Sequence, residues 1–125
     1  MDGRALFLVA LGGAIGAIAR YLTTTMLPID SHWSTLTINL TGSLLLGIIA
    51  GGMHSSGAIS DELLLLLGTG ILGAFTTMST FSVDLMQLLD DSQLATAGVY
   101  LTSTALIGPF LAYIGWKGTS MVIGA

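Results

Sequence analysis

Cysteine is absent from this 125-residue chain, and charged side chains are scarce. Without cysteine the chain can have neither a disulfide framework nor a thiolate metal site. Only 8% of its residues are Asp, Glu, Lys or Arg, whereas soluble domains carry about 25%. The only cations, Arg4, Arg20 and Lys117, lie far apart in the sequence. They form no basic patch, so we exclude a nucleic-acid partner.

Residues that could carry out catalysis are also missing. His32 and His54 both fall in connectors between apolar runs, and no nucleophile, base and acid occur together in a recognisable pattern. The pair of glycines at 68 and 70 lies inside an apolar run, without the βαβ unit that a dinucleotide motif requires. We therefore predict that the protein is not an enzyme.

Long apolar runs are what the sequence has instead. It is 53% hydrophobic, with a mean hydropathy of +0.89, which is more apolar surface than so short a chain can bury within itself. Four runs are each long enough to cross about 30 Å of hydrocarbon as a helix. They cover residues of about 5–27, 35–53, 63–89 and 94–116. We predict an all-α, multi-pass protein of the cell membrane, with one four-helix transmembrane domain over residues 1–125.

The distribution of cations leaves the orientation of these spans open. Four spans would put both ends of the chain on one side, with Arg4 and Lys117 there and Arg20 towards the other. Either the chain inserts in both orientations or it is simply poor in Lys and Arg. The first run shows no cleavage site, so we expect it to be retained. Because many glycines allow close helix contacts and four helices enclose little space, we expect an oligomer.

The third run contains unexpected polarity, because its segment GAFTTMSTFS, residues 73–82, holds five hydroxyl residues. The whole run would form a helix of roughly 40 Å, longer than the hydrocarbon core. Glycine followed by Ser and Thr is a poor helix former. We predict a helix broken at mid-membrane, where freed backbone groups can hold ions. In the alternative, the hydroxyls bond back to carbonyls of an intact helix.

Other polar residues lie inside the remaining runs. Asn39 lies near one helical face with Thr35 and Gly42, and it forms either part of a pathway or a bond that holds helices together. Arg20 either extends its side chain to the interface or faces a water-filled vestibule that draws anions. Asp84 is a functional candidate because carboxylates inside a membrane are costly.

Three stretches carry a resemblance to a known family. They are GGAIGAIARY at residues 12–21, TLTINLTGSLLLG at 35–47 and GTGILGAFTTMSTFSVD at 68–84. In this order and at this length, the chain resembles the CrcB/Fluc fluoride channel family over essentially its whole length. The resemblance implies an antiparallel, dual-topology dimer with two fluoride pores and a central structural sodium ion.

The family motifs also assign roles to individual residues. The resemblance implies that the backbone carbonyls of Gly73 and Thr76 bind sodium and that Arg20 lines the vestibule. It assigns the following residues to the fluoride pore: Thr35, Asn39, Met78, Ser79, Thr80, Phe81 and Thr104. The implied partners are fluoride, the lipid bilayer and a second copy of this chain or a related chain.

The sequence departs from the family pattern at two of these positions. Asp84 stands where the family usually has Glu, and Met78 replaces one of two pore phenylalanines. A phenyl ring offers its positive edge to an anion, whereas a thioether offers only a soft, polarizable surface. The chain is therefore either a fluoride channel subunit or a non-conducting partner in a heteromeric channel. A small proton-coupled multidrug exporter is a third reading, which the lack of a central carboxylate disfavours.

Overall fold

Four long helical spans make up the protein. The computed structural model describes residues 2–124, and the spans cover Gly3–Met26, Ser31–Ser56, Asp61–Asp90 and Leu94–Ile123. Each is long and apolar enough to cross a membrane, and the residues described contain no strand. The prediction of an all-helical chain with four apolar spans is confirmed.

Local sequence signals set the ends of the spans. The Asp2 side chain accepts a hydrogen bond from the Arg4 amide, which caps the first span. Gly57, with φ of 62°, ends the second span in the left-handed conformation that glycine adopts without strain. The Ser60 side chain then caps the third span by accepting from the Leu63 amide. The connectors between these spans are short, so consecutive spans run antiparallel.

The third and fourth spans are not regular α-helices. In the third, Leu64–Leu72 has π-helical hydrogen bonds, and α-helix returns over Gly73–Phe75. Thr76 and Thr77 are extended, and α-helix resumes over Met78–Asp90. In the fourth, a shorter π-helical segment covers Ser103–Ile107. Such π-helical segments occur often at functional sites.

Glycines set the packing of the spans in pairs. The second span packs along the fourth, where a Cβ added at Gly47 or Gly51 would overlap the backbone of Ala112 or Trp116. The first span packs along the third in the same way, with Gly12 and Gly16 against its π-helical segment. Close backbone contact of this kind holds helices together in a bilayer, where the hydrophobic effect contributes little.

The buried apolar core of the chain is small. Its main cluster consists of Phe81 and Leu88 on the third span with Ala97 and Tyr100 on the fourth. Ile38 on the second span and Leu72 on the third are buried outside this cluster. Most large apolar side chains instead lie exposed on the outside of the bundle. An apolar exterior of this extent matches the surroundings of lipid or of other membrane helices, as expected of a multi-pass membrane protein.

Candidate functional site

The extended residues Thr76 and Thr77 form the centre of the candidate site. Thr76 has ψ of 156°, and Thr77 has φ of −151° and ψ of 119°. The Thr77 hydroxyl accepts a hydrogen bond from the Thr80 amide at 3.2 Å, so Thr77 is the N-cap of Met78–Asp90. The Thr76 hydroxyl bonds back to the Leu72 carbonyl at 2.9 Å, as in the alternative considered for this segment.

Asn39 of the second span binds the backbone of this interruption from both sides. Its Nδ2 donates to the Thr77 carbonyl at 3.0 Å, and its Oδ1 accepts from the Thr77 amide at 2.8 Å. One side chain therefore satisfies both backbone groups of a residue that has left the helix. This is the interhelical bond that was one reading of Asn39, and it leaves one amide proton of the side chain for another acceptor.

The same hydrogen bonds leave the predicted sodium carbonyls without their helical donors. In a continuous helix the Thr77 amide would donate to Gly73 and the Thr80 amide to Thr76. Here the first donates to Asn39 and the second to the Thr77 hydroxyl. Within residues 2–124, no backbone or side-chain donor bonds either carbonyl. Their oxygens lie at the negative end of a helix segment, and carbonyl oxygens are suitable ligands for a hard cation, so these residues fit sodium.

The other edge of the interruption presents backbone donors. Met78 and Ser79 are the first residues of Met78–Asp90, and their amides have no hydrogen-bond acceptor within the described chain. The first amides of a helix lack intrahelical partners and carry its positive partial charge. The interruption thus has a carbonyl edge, formed by Gly73 and Thr76, and an amide edge, formed by Met78 and Ser79.

The predicted pore residues lie around this point but face different surroundings. Met78 is 71% exposed, Ser79 is exposed and Thr80 is partly buried. Phe81 is buried, and its ring centroid lies 5.1 Å from that of Tyr100. The Thr104 hydroxyl donates to the Tyr100 carbonyl at 2.8 Å, so the hydroxyl proton of Thr104 already has an acceptor. Met78 and Ser79 are therefore the predicted pore residues most open to a neighbouring molecule.

Thr35 and Asp84 are both buried polar residues. Thr35 is 1% exposed, and its hydroxyl has no partner of hydrogen-bond geometry within residues 2–124. Asp84 is buried and accepts from the Tyr100 hydroxyl and from the Ser31 hydroxyl, both at 3.1 Å. Such a carboxylate is held in place by two donors, as burial of a charged group requires.

Gly42 and Arg20 complete the set of predicted residues. A Cβ at Gly42 would overlap the Cγ2 atom of Thr76, so this glycine makes room for the interruption beside the second span. Arg20 is partly buried on the first span, and among the residues described it makes no ion pair. The structure does not bring Arg20 into hydrogen-bond contact with the other predicted residues.

Two residues of the site were not among the sequence predictions. Thr77 is the residue that Asn39 binds, and Tyr100 joins Asp84 to the core. A signal for Thr77 exists in the sequence, since a threonine just before a helical run is a typical N-cap. Nothing in the sequence pairs Tyr100 with Asp84, because 16 residues and a connector separate them.

Comparison with known proteins extends over nearly the whole chain. Residues 7–116 match the family model described as "CrcB-like protein, Camphor Resistance (CrcB)". The "Fluoride-specific ion channel FluC 1" of Ligilactobacillus salivarius is 44% identical over 114 residues, covering 88% of this chain and 96% of the relative. The "Fluoride-specific ion channel FluC" of Thermus thermophilus is 37% identical over 121 residues, covering 94% and 96%. That of Methylobacillus flagellatus is 36% identical, covering 96% and 98%. The chain belongs to the CrcB family.

Proposed function

We propose that this chain is a subunit of a fluoride-selective channel that lowers cytoplasmic fluoride by passive efflux. Membership of the CrcB family, whose relatives are named ion channels, makes the chain a channel protein and not an enzyme. The observation that carries the proposal is the interruption at Thr76 and Thr77, held by both ends of the Asn39 side chain. It supplies backbone groups of both signs in an apolar span, where continuous helix would supply none.

The amide edge suits an anion that is strongly hydrated. Fluoride leaves water only when other donors replace its hydration shell, and amides and hydroxyls are such donors. The free amides of Met78 and Ser79, the Ser79 hydroxyl and the remaining Asn39 proton supply them. The positive end of the helix Met78–Asp90 adds attraction for the anion.

The carbonyl edge suits a structural sodium ion. The oxygens of Gly73 and Thr76 would hold it, because neither accepts a hydrogen bond from a described residue. When bound, sodium supplies a positive charge that offsets repulsion between anions near the centre. Two carbonyls are too few to surround a cation, which supports an antiparallel dimer whose second copy contributes the same pair.

Fluoride efflux from liposomes tests the function. The purified chain is reconstituted into vesicles loaded with potassium fluoride. External fluoride is then measured with an electrode once the electrical potential across the vesicle membrane has been dissipated. We expect fluoride efflux and no chloride efflux in a parallel sample. No fluoride efflux from the chain alone would overturn conduction by a homodimer. Efflux restored only by a related chain would instead show a partner subunit.

A second experiment tests the cation separately. Sodium is replaced by a larger cation throughout purification and reconstitution, and the same efflux is measured. We expect the rate of fluoride efflux to fall, because carbonyls spaced for sodium do not fit a larger ion. An unchanged rate would contradict a role for Gly73 and Thr76 as sodium ligands, while leaving fluoride conduction intact.

A further inference from the structure

A groove outside the candidate site runs between the second and fourth spans. Its volume is about 530 Å³. Its walls include Leu46 and Ala50 from the second span and Ala112, Tyr113, Trp116 and Lys117 from the fourth. The lining is apolar except for Ser43 and the polar groups of Tyr113, Trp116 and Lys117. The groove lies beside the line along which Gly47 and Gly51 bring the two helices into close contact.

The residues at one end of the groove are those of a membrane surface. Trp116 and Tyr113 have apolar rings with one polar group, the type of residue enriched at the boundary of a bilayer. The Trp116 ring also lies 5.2 Å from the ring of His54, two residues before the end of the second span. This end of the groove therefore lies near lipid headgroups, and the apolar end points into hydrocarbon.

The lysine at this end of the groove is unpaired among the residues described. Lys117 makes no ion pair among residues 2–124, whereas Arg4, the other cation on the side of the chain ends, pairs with Glu62 at 2.9 Å. A lysine ammonium at the membrane surface attracts the phosphate of an anionic lipid. A second copy of this chain seated here would have to cover the ammonium, which is costly in apolar surroundings.

We propose that this groove binds an anionic phospholipid, with an acyl chain between the second and fourth spans and the phosphate at Lys117. From Ala50 to Ser43 the furrow follows about two helical turns, roughly 10 Å, which accepts the upper part of an acyl chain. The proposal does not depend on fluoride conduction, because none of the groove residues belongs to the candidate site.

Native mass spectrometry of the intact protein in mild detergent tests the proposal. Dioleoyl phosphatidylglycerol and dioleoyl phosphatidylcholine are titrated in parallel, and bound lipid per subunit is counted. We expect phosphatidylglycerol to bind more tightly, and Lys117→Gln to weaken it about fivefold. Arg4→Gln, which removes a cation at the same side but outside the groove, should leave binding unchanged.

A groove-filling variant separates the acyl chain from the headgroup. Ala50→Leu should abolish retention of phosphatidylglycerol, while Ala17→Leu on the exposed face of the first span should not. Equal binding of both lipids, or unchanged binding by Lys117→Gln, would overturn the proposal. So would displacement of bound lipid by glycerol phosphate alone. If Ala50→Leu instead separates the protein into monomers, the groove belongs to a subunit interface and the proposal fails.

Discussion

Met78 combines exposure with a position beside free backbone donors. Its side chain is 71% exposed, and it starts the helix that follows the interruption. Three residues further on, Phe81 is buried against Tyr100 and is 5% exposed. Of the two pore positions that the family resemblance assigns to phenylalanine, only the exposed one is changed. The change therefore affects an exposed position and leaves the buried core of the chain intact.

Met78→Phe should increase fluoride efflux severalfold, because the positive edge of a phenyl ring attracts an anion more strongly than a thioether does. Efflux from liposomes measures it. Met86→Phe is the matched control, since Met86 is also exposed, at 62%, on the same helix but two turns away. Equal rates for the native chain and Met78→Phe would show that the methionine is a fully tolerated pore residue.

Asn39→Ala should destabilise the protein by about 1–3 kcal/mol, because it leaves the amide and the carbonyl of Thr77 without partners. Thermal unfolding in detergent measures the loss, and efflux should fall in parallel. Thr41→Ala, at an exposed position on the same helix, is the control and should have little effect. Normal stability of Asn39→Ala would mean that Asn39 does not hold the interruption.

The third span is held mainly by the first. Its π-helical segment Leu64–Leu72 widens the backbone where Gly12 and Gly16 approach it, and the span then reaches the second helix at Asn39 and Gly42. The segment before Thr76 and the segment after it thus have different neighbours. This division lets the interruption persist without the third span losing its packing.

Gly16→Ala should destabilise the bundle by about 1–3 kcal/mol, because its Cβ would overlap the carbonyl of Ile71, which the backbone cannot move aside cheaply. Gly13→Ala is the control on the same helix, where an added Cβ meets nothing within 4 Å. It should be neutral or stabilise by up to about 1 kcal/mol through helix propensity. Melting temperatures in detergent compare the two, and equal effects would contradict close packing at Gly16.

The proposed dimer would have to supply what one chain lacks. Each subunit offers two carbonyls at its interruption and an exposed Met78, and most of its large apolar side chains lie outside. An antiparallel pair would bring two interruptions together at one depth, because each lies within its span rather than at an end. The pair would also require chains in both orientations.

Single cysteines can measure those orientations, because the native chain has none. Ala58→Cys, in the connector before the third span, and Asp90→Cys, at its last residue, place thiols beyond opposite ends of the span's apolar run, both at exposed positions. In sealed vesicles an impermeant maleimide should label about half of each variant if both orientations insert equally. Labelling of one variant in full and the other not at all would contradict dual topology.

The all-helical class and the number of spans could be predicted from the amino acids alone. Hydropathy and run length are local properties, and a bilayer sets the required length directly. The freed carbonyls of Gly73 and Thr76 could be anticipated only as family roles. Which donors they lose depends on Asn39 and on Thr77, whose pairing spans 38 residues of sequence.

The fold alone decided which polar residues meet. Contacts between different spans bury Phe81 against Tyr100 and bring the Ser31 and Tyr100 hydroxyls to Asp84. They also leave Arg20 apart from these residues. Such contacts follow from how small residues let particular helices approach, and glycines are scattered through every span. Composition therefore determines that these helices lie in a membrane, while their packing determines which backbone groups remain free to meet an ion.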